Sequence, residues 1–150
     1  MQNLFMSVFM GSHSGGAKFT CDALFSAFWV SRGALTIGEN RIRRGEGALL
    51  RKGEAGVFSQ PHGAQWVRFD LTEGEAPADA LLSAPVSLPA QPENAACLLR
   101  LDQVRFPPGA QAYRHVHPGD GIRFLVQGEL RVIADMHEQR TTPGHAWFEA

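Results

Sequence analysis

Glycine and proline interrupt this chain too often for long helices. Sixteen glycines and nine prolines are spread from end to end, and between them lie short runs rich in Val, Ile, Leu, Phe and Trp. Helices need longer uninterrupted periodic segments, so this punctuation predicts an all-β sandwich or barrel. With 150 residues, 44% of them apolar, the chain suffices for one compact structure.

Taken in order, Leu4 to Met10 reads as a first strand, followed by the turn GSHSGG, in which His13 stands alone and is expected to be solvated. Ala23 to Ile37 reads as two strands around a tight turn at Ser31-Arg32-Gly33. The basic run Arg41 to Arg44 is expected to be a solvated strand edge that discourages edge pairing rather than a phosphate site. GEGALLRKGEAGVF and AQWVRFDL add three more strands. Thr72 to Asn94 shifts to Pro, Ala, Ser and acids and predicts a connecting loop, with one helical turn around Asp79 to Leu82. A long strand is then expected over Ala96 to Phe106, with further strands over the following histidines, Ile122 to Val126, Leu130 to Ala134 and His145 to Ala150, and a hairpin tip at DMHEQ. The resulting division is 1–72, a linker 73–94, and 95–150, packed together.

The two halves echo each other. WVSRGALTI (Trp29 to Ile37) matches FLVQGELRV (Phe124 to Val132), and GEGALL (Gly45 to Leu50) matches GHAWFE (Gly144 to Glu149), in apolar pattern and turn placement. Such an echo points to duplication of a β unit.

A formal charge of -1 argues against a polyanionic partner, so nucleic acid is not expected. Cys21 and Cys97 have no metal or redox spacing and read as small buried or half-buried thiols rather than a disulfide. The start, MQNLFMSVFMGS, lacks a basic region and a bilayer-length run, which predicts neither leader nor membrane span, and a cytoplasmic protein.

The chemistry concentrates in FPPGAQAYRHVHPGDGIRFLVQG, Phe106 to Gly128. Alternate residues of a strand share a face, so His115 and His117 are expected to point the same way, close enough to grip one metal ion. Gly109, five residues, His115-Val116-His117, three residues, Gly121, six residues, Gly128 resembles motif 1 of the cupin superfamily, with glycine where most metal-binding members have a glutamate ligand. The resemblance covers Leu98 to Ala150 well and Ala23 to Leu71 weakly. It implies a cupin-type double-stranded β-helix, a jelly-roll barrel, whose N-terminal repeat is degenerate, with Thr20 and Asp22 at the histidine positions. Motif 2 would begin at Gly144, and its histidine would fall beyond Ala150.

Two imidazoles make a weak site for Zn, Fe, Mn or Ni. Asp120 is the first candidate to supplement them, with Tyr113, His137, His145 and Glu149 behind it. Arg123 is expected to share the face of the vacant ligand position, where it would hold a carboxylate ligand or pair internally, or else to form a salt bridge on the outer face, with Tyr113 as a further ligand-binding candidate. Two functions follow: a cupin that binds a small molecule without catalysis, or a metal-dependent dioxygenase, isomerase or lyase acting on a small carbonyl or hydroxy compound. The missing glutamate and missing motif 2 histidine favour the first. Open strand edges predict a homodimer.

Overall fold

The computed structural model describes residues 3–59, 61–87, 96–134 and 137–150. The described residues form β-strands and no helix: β1 (Leu4–His13), β2 (Lys18–Thr20), β3 (Phe25–Ile37), β4 (Asn40–Arg43), β5 (Gly47–Arg51), β6 (Ala55–Phe58), β7 (Ala64–Glu73), β8 (Leu82–Val86), β9 (Gly121–Phe124), β10 (Leu130–Ala134), β11 (His137–Thr141) and β12 (Ala146–Glu149). Among the described residues no helix is long and apolar enough to cross a membrane. The fold is all-β, built on a curled antiparallel half-barrel of eight strands.

β3 makes the curl. Its first part pairs with β5 and β7, and its last part, Ala34 to Ile37, pairs with β4 while Leu35 to Ile37 pair with β6. The ladder to β7 slips between Val30 and Arg32, a bulge that bends the strand and lets it change partners. The tight turn expected at Ser31-Arg32-Gly33 is therefore this bulge inside one continuous strand. Gly33 sits there at φ +76°, and a side chain on it would run into the Gly63 carbonyl. Only glycine combines that conformation with so close a backbone approach.

The curled sheet carries an apolar cluster on each face. Alternation along β7 places Ala64 and Trp66 on the inner face, in a core with Phe9, Phe28, Val30, Leu35, Leu50 and Phe58. Val67 lies on the outer face with Val8, where Ile122, Phe124, Ala146 and Phe148 pack against it from the C-terminal part. Burying such a side chain contributes about 1.5–3 kcal/mol. The apolar alternation of β9 and β12 thus fixes which of their faces turns away from the sheet.

Several expectations change. Leu82 to Val86, in the presumed loop, is β8, an edge strand on β1; Pro85 is tolerated because an edge has a side without a ladder partner. Residues 78–79 form a turn rather than a helical turn. The strands expected over Ala96 to Phe106 and over the histidines are absent: 96–120 contains no strand. No described strand pairs with that stretch, and Pro107, Pro108 and Pro118 each remove a ladder donor. Residues 88–94 of the linker and the hairpin tip at 135–136 lie outside the described residues. Cys21 is buried, Cys97 is exposed, and both are free thiols.

Candidate functional site

Two glycine-turn units in the chain have the same backbone hydrogen bonds. In the first, Val30 N–H donates to Glu46 O (3.0 Å), Gly45 N–H to Val30 O (2.7 Å) and Glu46 N–H to Arg43 O (2.9 Å). In the second, Leu125 N–H donates to His145 O (3.0 Å), Gly144 N–H to Leu125 O (2.9 Å) and His145 N–H to Thr142 O (3.1 Å). Superposing these patterns sets Phe28 against Arg123 and Leu50 against Glu149. Phe28 and Leu50 are fully buried core residues. Their counterparts are charged.

That polar pair is built by the β9–β12 ladder, which sets Gly121 opposite Glu149 and Arg123 opposite Trp147. These residues lie on the face turned away from the curled sheet. With no side chain at Gly121, the Arg123 guanidinium lies over it, where any Cβ would overlap Nη1. Arg123 Nε lies 3.2 Å from Glu149 Oε2, which also receives His117 Nε2 at 2.8 Å. Trp147 Nε1–H donates to Oε1 at 2.6 Å. Three donors thus fix one half-buried carboxylate.

His115 and His117 meet without a strand beneath them. Their ring centroids are 4.8 Å apart at an interplanar angle of 80°. His115 is exposed and His117 half-buried, so the pair sits on an irregular surface segment rather than inside a barrel. Partners fix both tautomers. His115 Nδ1 lies 2.6 Å from the Tyr113 carbonyl, which only accepts, so Nδ1 carries the hydrogen. The Glu149 carboxylate likewise only accepts, so His117 Nε2 donates. In the neutral rings this leaves His115 Nε2 and His117 Nδ1 as acceptors.

The remaining candidates are dispersed. Asp120 Oδ2 accepts the Ser87 N–H at 2.6 Å, fastening the segment before β9 to the end of β8. Tyr113 extends its ring into solvent, and it is its backbone carbonyl that reaches His115. His137 is exposed on β11; His145 is exposed and contacts Gln139. His13 is exposed yet anchored, stacked on Phe58 at 4.5 Å and accepting the Trp66 Nε1–H at Nδ1 (3.1 Å).

A second polar group lies inside the curled sheet. Arg68 stands over Phe9 at 4.3 Å, with Phe19, Phe28 and Trp66 also within 6.0 Å of its guanidinium carbon, and its Nε approaches Asp70 Oδ2 at 3.1 Å. Ser26 Oγ donates to Asp70 Oδ1 (2.7 Å), and the Cys21 thiol donates to Ser26 Oγ (3.2 Å). Burial raises the Asp70 carboxyl above its ordinary value; Ser26 and Arg68 pull it down and are outweighed. Sequence reasoning passed over this group. The signal was Arg68 and Asp70 two residues apart, hence on one face of an otherwise apolar strand.

Comparison with protein-family models, with characterised proteins and with solved structures gives no match.

Proposed function

We propose that the chain is a small-molecule-binding protein of cupin type, not itself a catalyst, whose ligand lies across His115, His117 and Arg123 with Glu149 as the organising carboxylate. The observation that carries this reading is the exchange of Phe28 and Leu50 in one glycine-turn unit for Arg123 and Glu149 in the other. Replacing two core residues by a charged pair sacrifices burial, and recognition is the use that offsets the loss. The two acceptor nitrogens suit hydroxyl donors, and the outer nitrogens of Arg123 suit a carboxylate. The ligand class is a small hydroxy acid.

Calorimetric titration with gluconate tests the reading, with sorbitol as the uncharged control. Saturable binding of gluconate alone, weakened at least tenfold by Arg123→Met and by His117→Ala, is the expected result. Absence of saturable binding, or binding indifferent to both substitutions, overturns it.

A metal-dependent enzyme is the second reading, and one observation favours it. Each histidine has its other ring nitrogen tied to an oxygen, Tyr113 O or Glu149 Oε2, which is how metal-bound imidazoles are commonly oriented. His115 Nε2 and His117 Nδ1 would hold the ion, which would supply Lewis-acid polarisation of a ligand oxygen. The fit is partial. Among the described residues no group of three or more His, Cys, Asp or Glu is gathered to hold an ion, and the Arg123 guanidinium occupies the space over Gly121. A stoichiometric first-row metal in untagged protein, lost in the His115→Ala, His117→Ala double variant, is the result this second reading requires.

A further inference from the structure

The basic run Arg41 to Arg44 is better placed than an edge guard requires. β4 pairs with β3 so that Arg43 faces Ala34, Ile42 faces Leu35 and Arg41 faces Thr36. Leu35 is fully buried and Ile42 packs against the inner core, so alternation sends Arg41 and Arg43 together to the opposite face. There they border a cavity of about 270 Å³ whose lining also includes Arg44, Ser59, His62 and Gly63.

A second element also borders this half-open cavity. The connection from β6 to β7 contributes Ser59, His62 and Gly63, and it is anchored by Ser59 N–H donating to Ala34 O (2.9 Å) and Gly63 N–H donating to Ser59 O (2.8 Å). At one edge the Ser59 and Thr36 hydroxyls pair at 3.3 Å. Three arginines, one histidine and Ser59 thus line the cavity, and among the described residues no Asp or Glu does. Among the described residues none of the three arginines takes part in an ion pair. The nearby Glu46 carboxylate instead accepts the Arg43 backbone N–H at 2.8 Å.

General basicity does not explain this. The whole chain has 14 Lys and Arg against 15 Asp and Glu, yet three of those 14 fall within four consecutive residues. Guanidinium groups with no acid among them are drawn to an external anion, and their planar fork matches phosphate oxygens two at a time. A volume near 270 Å³ is below the usual range for drug-sized ligands, which limits the anion to a small one.

We propose that this cavity binds the phosphoryl group of a small phosphorylated molecule, gripped by Arg41, Arg43 and Arg44, with His62 and Ser59 completing its hydrogen bonds. The site shares no residue with the His117–Glu149 group, so either assignment stands or falls without the other.

The test is a titration of the full chain with glycerol 3-phosphate, followed by calorimetry and by backbone amide shifts, with glycerol as the neutral control. Saturable binding is expected for the phosphate ester alone, with shifts centred on Arg41 to Arg44, Ser59, His62 and Gly63. Arg41→Gln with Arg43→Gln lowers the affinity at least tenfold, while Arg131→Gln, an exposed arginine outside the cavity, leaves it unchanged. All three positions are exposed, so circular dichroism is expected to report an intact fold in each variant. Equal loss in the Arg131 variant, an indifferent double variant, or no saturable binding overturns the proposal. So does much tighter binding of a single-stranded oligonucleotide, since that outcome assigns the arginines to a polyanion surface.

Discussion

Glu149 stands directly across the ladder from Gly121, and its Oε2 lies 2.8 Å from His117 Nε2 and 3.2 Å from Arg123 Nε. The carboxylate that meets His117 and Arg123 thus comes from β12, across the ladder from Gly121. The emptiness of Gly121 allows it, because the guanidinium that links the two strands needs that space.

Glu149→Gln tests whether that carboxylate fixes the imidazole. An amide can donate as well as accept, so His117 loses the partner that forces its hydrogen onto Nε2. Nitrogen shifts of His117 are expected to show a single tautomer in the parent at a pH where the ring is neutral, and a mixture in the variant. The pair is partly exposed, so global stability should fall by only about 1 kcal/mol or less. An unchanged tautomer would remove Glu149 from its organising role.

A covering partner is expected over the segment before β9. Leu98, Tyr113 and Val116 are more than four-fifths exposed there, and no described strand pairs with 96–120. Apolar side chains so placed favour association, and the commonest closed arrangement of identical chains is a twofold dimer. Light scattering should give twice the chain mass, and Leu98→Asp with Val116→Asp should return it to that of one chain. A parent running at 16.4 kDa would sink the dimer.

Gly33 and Gly38 form a matched pair for the bend in β3. Both have positive φ, +76° and +56°, but a side chain on Gly33 meets the Gly63 carbonyl while one on Gly38 meets nothing within 4 Å. Gly38→Ala should therefore cost only the left-handed backbone penalty of about 1 kcal/mol. Gly33→Ala adds displacement of the β6–β7 connection and should cost roughly 2–4 kcal/mol. Equal losses in chemical denaturation would mean that the close approach at the bulge does not matter.

Local chemistry was legible in the sequence wherever a residue decides its own conformation. The strands over Leu4, Leu130 and Trp147 follow from apolar alternation between glycines, and the turns at Gly45, Gly128 and Gly144 all have positive φ. Pairing was not legible. β8 reads as linker because its Ser, Ala and Pro have little strand preference, and only the open edge of β1 makes it a strand. The histidine segment fails in the opposite sense: alternation permits a strand, and among the described residues no strand pairs with it. Glu149 entered the sequence reading only as a minor candidate, since register, which sequence does not give, places it opposite Gly121.

Asp70 gives the fold a pH dependence with an unusual sign. Burial raises its folded-state value above the ordinary 3.8, so between the two values the native protein binds more protons than the unfolded chain. Its contribution is therefore greatest at or below the ordinary value and falls as pH rises through the window that ends at the folded value. Most partnered carboxylates act the other way. Asp70→Asn retains the shape and an acceptor for the Ser26 hydroxyl, but it does not titrate. The stability of the parent relative to this variant should accordingly decline as pH rises from the ordinary value of 3.8 through the raised folded-state value, as measured by urea denaturation at matched ionic strength. A difference that instead rises with pH would show the attraction of Arg68, 3.1 Å away, prevailing over the cost of burying the charge.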